Sequence, residues 1–67
     1  MRVDGKKIRK LRKALGISQK ELGISAGVSH EYIHYIEVGK KIPSVTVFAY
    51  MAQCLGVTTD DLLKKEA

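Results

Sequence analysis

Tryptophan is missing from this sequence, while cysteine, proline and phenylalanine occur once each and tyrosine three times. The single cysteine, Cys54, excludes an intrachain disulfide and fits a reducing compartment; its simplest role is that of a small core residue. Long apolar runs are missing too. The apolar positions from 45 to 57 are broken by Thr46, Tyr50, Gln53 and Gly56, well short of the roughly 20 residues that span a bilayer. Nor does the basic start lead into the apolar stretch of about 7 to 15 residues that marks a secretion signal. A cytoplasmic protein without a membrane partner is expected. There is no Walker loop, dinucleotide fingerprint or nucleophile triad, and no strand pattern, internal repeat, low-complexity tract or domain linker. At 67 residues the chain is one domain (1–67), with little apolar surface for both a core and an enclosed catalytic cleft.

What is present is positive charge and helix punctuation. Net charge is +5, and seven of the twelve basic side chains fall between residues 2 and 13: Arg2, Lys6, Lys7, Arg9, Lys10, Arg12 and Lys13. Charge concentrated in this way suits a polyanion, although a solvated lysine-rich helix face is the plain alternative. Helical periodicity predicts five helices. The first runs from about Gly5 to Ala14 with Asp4 as N-cap, Val3 and Ile8 as a hydrophobic staple, and Ile8, Leu11 and Leu15 on its buried face. The fourth follows Pro43 with Ser44 as its cap, and turns Val45, Phe48, Met51, Ala52 and Leu55 toward the core. The fifth opens on Thr58 and Asp61, an acidic variant of the capping box, is stapled by Val57 and Leu62, and reaches about Lys65.

Residues 18–40, SQKELGISAGVSHEYIHYIEVGK, carry the most information. Ser18 and Glu21 form a capping box, Ile17 and Leu22 a staple, and Val28 and Ile33 repeat the staple around Ser29. Gly27 can take the positive φ that ends the second helix and lets the third begin almost at once. On the third helix Ile33 and Ile36 are the core positions, and the outer face presents Ser29, His30, Glu31, His34 and Tyr35, with no Lys or Arg. Side chains of this kind contact base edges, sugars and phosphates, whereas a merely solvated helix usually carries Lys and Glu. A helix of this type, set across a short turn from a capped partner, is one that enters a DNA groove.

Six segments then fall in order along nearly the whole chain: IRKLRKALGIS at 8–18, SQKEL at 18–22, GVS at 27–29, IExGK at 36–40, PS at 43–44 and LGVTTDDLL at 55–63. In these the sequence resembles the phage-repressor and Cro type of helix-turn-helix regulators, the xenobiotic-response-element-like family. The resemblance implies an all-α, compact five-helix bundle in which helices two and three form the DNA-binding motif. It implies that Gln19 bonds a phosphate and braces the first residue of the third helix. Arg12 and Glu37 would form an ion pair, the alternative being an arginine facing solvent or DNA. Base readout would fall to Ser29, His30, Glu31, His34 and Tyr35, with Ser18, Gln19, Lys40, Lys41, Arg9 and Lys13 on phosphates. Two departures stand out: Gly23 replaces the usual alanine, at about 0.5–1 kcal/mol of helix preference, and Val38 stands where Arg or Asn is common, so one phosphate contact is missing.

The expected protein is an operator-occupying repressor that needs no cofactor and binds double-stranded DNA as a homodimer, since one module of this size buries modest DNA surface. Val47, Tyr50, Cys54, Leu63 and the terminal residues are candidates for the dimer surface, unless they complete the monomer core. An antitoxin-like module whose chief partner is a toxin or another protein is the second reading. A third comes from residues 30–34, which spell His-Glu-Tyr-Ile-His, a literal H-E-x-x-H that suggests a zinc peptidase with Glu31 as base. The chain has no third histidine to complete that site, so no catalytic metal and no enzyme activity are expected, and incidental binding of a divalent ion by His30 and His34 is the alternative left open.

Overall fold

The computed structural model describes residues 1–65, which form four α-helices and one 3₁₀ turn. Helix α1 spans Gly5–Ala14, α2 Gln19–Ala26, α3 His30–Glu37 and α4 Val45–Leu55, and the turn covers Asp60–Leu62. Each helix starts where a side chain accepts an otherwise orphaned N–H. Asp4 Oδ1 accepts from Lys7 N (3.1 Å), Ser29 Oγ from Tyr32 N (3.1 Å) and Ser44 Oγ from Val47 N (3.2 Å). At α2 the box is complete: Ser18 Oγ accepts from Glu21 N and Glu21 Oε1 accepts from Ser18 N, both at 3.0 Å. Gly27, with φ at 75°, closes α2 in the left-handed region.

α2 packs on both α3 and α4, α1 on α3, and the 3₁₀ turn on α1. Between them lie Ile8, Leu22, Ala26, Ile33 and Ile36 from the first three helices, closed off by Phe48, Met51, Ala52, Leu55 and Leu62. Val47, Cys54 and Leu63 are half-buried against this core. Two expected core residues are not in it. Leu15 is exposed because α1 stops at Ala14 and the next residue, in the cap, turns outward. Arg12, one turn after Ile8, takes the buried place. Val45 is 78% exposed, since it opens α4 and that helix reaches the core only from Val47 and Phe48 onward.

The expected fifth helix is a single 3₁₀ turn. Its capping box forms, with Thr58 Oγ1 accepting from Asp61 N and Asp61 Oδ2 accepting from Thr58 N. These bonds from Thr58 hold the Asp61 carboxyl below its ordinary pKa. Beyond Leu62 the backbone opens to an extended conformation, and Leu63 bridges Val3 in antiparallel fashion. Asp4 N donates to Leu62 O and Lys64 N to Arg2 O, both at 2.8 Å. Those bonds to the start of the chain replace the ones a longer helix needs.

Two glycines allow close approach. A Cβ on Gly23 would stand 2.6 Å from the Val28 carbonyl oxygen, so the helix preference that glycine gives up lets α2 sit tightly against the start of α3. At Gly5 a Cβ would lie 2.5 Å from the carbonyl oxygens of both Ile36 and Glu37, where α1 meets the end of α3. Gly5→Ala should therefore cost about 1–3 kcal/mol through overpacking. Urea unfolding reads this directly, and a midpoint equal to the parent's would show that α1 can back away freely.

Candidate nucleic-acid interface

The interface is built around a buried ion pair. Arg12 Nε donates to Glu37 Oε2 at 2.7 Å and its terminal nitrogen to Oε1 at 3.1 Å, in a two-pronged pairing that suits the planar guanidinium. The other terminal nitrogen of Arg12 donates to the Ile17 carbonyl at 2.9 Å, tying in the approach to α2. The Glu37 side chain is only 1% exposed. Its hydrogen bonds raise the Arg12 pKa above the ordinary arginine value, against the opposing effect of burial. Gln19 completes the group: its Nε2 donates to Glu37 Oε1 at 3.2 Å. The expected brace thus exists but reaches the last residue of α3, not the first, because the Glu37 carboxylate offers Gln19 a strong charged acceptor.

Around this group lies an open concavity of about 800 Å³, lined by Lys6, Arg9 and Arg12 of α1, Ser18, Gln19 and Lys20 at the start of α2, and His30, His34, Glu37 and Val38 of α3 and its end. Three elements place cations, a helix start and part of α3 along one surface. The sequence alone does not single out Lys6 and Lys20. Lys20 directly follows Ser18 and Gln19, and that adjacency is its signal, whereas Lys6 is one of seven clustered cations with nothing to distinguish it. Lys13 is exposed on α1 outside this concavity.

All five side chains expected to read bases, Ser29, His30, Glu31, His34 and Tyr35, are exposed. The His34 and Tyr35 rings lie 5.7 Å apart at 56° to each other, and His30 Nδ1 lies 3.2 Å from Glu31 Oε1. Lys40 and Lys41 are held at the end of α3, their backbone N–H groups both donating to the Tyr35 carbonyl at 2.8 and 3.2 Å. Tyr32, to which the sequence assigned no role, organises the same end. Its hydroxyl accepts from Ser44 N at 3.3 Å, and Lys41 Nζ lies 5.0 Å from the centre of its ring.

The helix-turn-helix family profile matches residues 8–62, from α1 to the end of the 3₁₀ turn. The chain belongs to the helix-turn-helix family. Among solved helix-turn-helix proteins, the P22 c2 repressor in complex with synthetic operator 9T is 32% identical, with a TM-score of 0.89 over 98% of this chain and 100% of that one. The SinR protein of Bacillus subtilis, in the SinR/SinI complex, is also 32% identical, with a TM-score of 0.82 over 91% of this chain and 60% of that one. The uncharacterized HTH-type transcriptional regulator y4dJ of Sinorhizobium fredii is 32% identical over 88% of this chain and 77% of its own length. Membership in this family of transcription regulators, not the lack of a third ligand, decides against the peptidase reading. Among the described residues no helix is long and apolar enough to cross a membrane.

Proposed function

We propose that this helix-turn-helix regulator represses transcription by occupying an operator, with α3 in the major groove and the start of α2 against the phosphate backbone. The observation that carries this reading is the shared surface of α3, the start of α2 and the cations of α1, at which Arg12 and Gln19 are both bonded to Glu37. Lys6, Arg9 and Lys20 join Ser18 and Gln19 as phosphate contacts on one side, Lys40 and Lys41 on the other, and Lys13 lies further along α1. The P22 c2 repressor, similar over nearly the whole chain, is seen with a synthetic operator. The working unit is a cytoplasmic homodimer on two half-sites about 34 Å apart. Tyr50, exposed on α4, is the free candidate for its contact; Val47, Cys54 and Leu63 offer only part of their surface, and residues 66 and 67 lie outside the described residues.

A DNA site selection with the purified, metal-free protein tests this reading, and an inverted repeat is the expected product. Enrichment of nothing would favour the second reading, an interaction module for another protein, which rests on the similarity to SinR in its complex with SinI. Glu31 adds a sharper expectation. A carboxylate accepts from cytosine N4 but is repelled by phosphates, so it trades general affinity for discrimination. Glu31→Gln should relax base preference at one position while binding random DNA at least as well. An unchanged preference in the same selection would sink that role.

A further inference from the structure

His30 and His34 are exposed one turn apart on α3, and both line the concavity. Residues so spaced have Cβ atoms about 5–6 Å apart, which lets two imidazoles reach one ion. Glu31 supplies an independent feature. Its Oε1 lies 3.2 Å from His30 Nδ1, close enough for the carboxylate to orient that ring. A carboxylate behind the imidazole is the arrangement that orients metal-binding histidines and raises their basicity. The H-E-x-x-H string thus sets two exposed imidazoles one turn apart, with the glutamate beside one of them instead of acting as a base.

We propose that His30 and His34 form a two-imidazole site for a divalent late transition metal, with Glu31 as the positioning residue, and that its occupancy weakens sequence-specific DNA reading. Imidazole donors suit zinc, nickel and copper, not magnesium or calcium. Lys6, Arg9 and Lys20 line the same concavity and oppose a dication, so the site is weak beside a four-ligand structural one. The effect on DNA rests on α3 being the reading helix. An ion that holds both imidazoles removes two base-reading side chains, while its charge still attracts phosphates, so the quantity that falls is the ratio of operator to random-DNA affinity. Linkage requires that operator DNA lower the metal affinity relative to random DNA by the same factor.

Calorimetric titration of Zn²⁺ into the metal-free full chain, without DNA, tests the site. One ion per chain is expected, with affinity at least tenfold weaker in His30→Gln and His34→Gln and about 10- to 100-fold weaker in Glu31→Gln. The variants' unfolding temperatures without zinc confirm that each is folded. No zinc binding by the parent, or equal binding by parent and variants, overturns the site. Saturating zinc should then lower the parent's ratio of operator to random-DNA affinity at least tenfold and leave the His34→Gln ratio, whatever its starting value, unmoved. A parent ratio that zinc does not change overturns the coupling. A metal-free parent that binds no DNA overturns the coupling together with the DNA-reading role of α3, while the DNA-free titration still decides the site.

Discussion

Glu37→Ala should be the most damaging single substitution in the interface, lowering stability by about 3–5 kcal/mol. Both oxygens of this carboxylate are engaged, Oε2 by Arg12 and Oε1 by Arg12 and Gln19, and almost none of it meets water. Removing it strands a guanidinium that is itself only 7% exposed, with the Ile17 carbonyl as its one remaining acceptor among the described residues. In a domain of this size each kcal/mol moves the melting temperature by about 4–8 °C, so the loss should exceed 10 °C. Glu37→Gln keeps one neutral acceptor oxygen and turns an NH2 donor toward the remaining N–H groups of Arg12 and Gln19, so it should fall between. The double variant Arg12→Leu with Glu37→Leu should recover much of the loss, since no charge is then left without a partner. Thermal unfolding followed by circular dichroism reads all three, and a Glu37→Ala protein that melts with the parent would refute the pair's importance.

Operator binding should collapse with salt. If two copies together neutralise roughly 6 to 10 phosphates, affinity drops about 10³- to 10⁵-fold between about 50 and 200 mM salt. The structure allows that number from Lys6, Arg9 and Lys20 around the concavity and Lys40 and Lys41 at the end of α3. The outer face of α3 contributes no basic Lys or Arg, so the electrostatic contribution has to come from its neighbours. Lys20→Gln isolates one such contact. It should weaken all DNA sequences alike and flatten the plot of log affinity against log salt by about one per copy. Fluorescence anisotropy over a salt series measures the slope; a slope identical to the parent's would remove Lys20 from the interface.

Most of the helical frame was legible because it is local. Asp4, Ser18, Ser29 and Ser44 announce helix starts that depend only on residues three positions away, and all four caps form. The Arg12 and Glu37 pair, 25 residues apart, was legible only through resemblance, since nothing in either residue's surroundings names the other. What could not be read depended on non-local geometry. Thr58 and Asp61 begin a helix correctly by local rules, but Leu63 is drawn away by Val3 at the other end of the sequence. Gly23 looks like a weak helix residue until the Val28 carbonyl is placed beside it. Tyr32 shows its role only once the chain has folded back to bring Ser44 to its hydroxyl.

The short antiparallel contact between Val3 and Leu63 has a consequence for how the domain comes apart. Terminal segments usually fray independently, each opening at little cost. Here the Asp4 amide depends on Leu62 and the Lys64 amide on Arg2, so neither segment can peel away without releasing the other. The contact closes a loop from Val3 to Leu63, and the entropy of closing so long a loop grows only with the logarithm of its length. Two segments that would each be marginal alone thereby unfold as one cooperative unit, and α1, with its share of the cations, is anchored at its start as well as through Arg12.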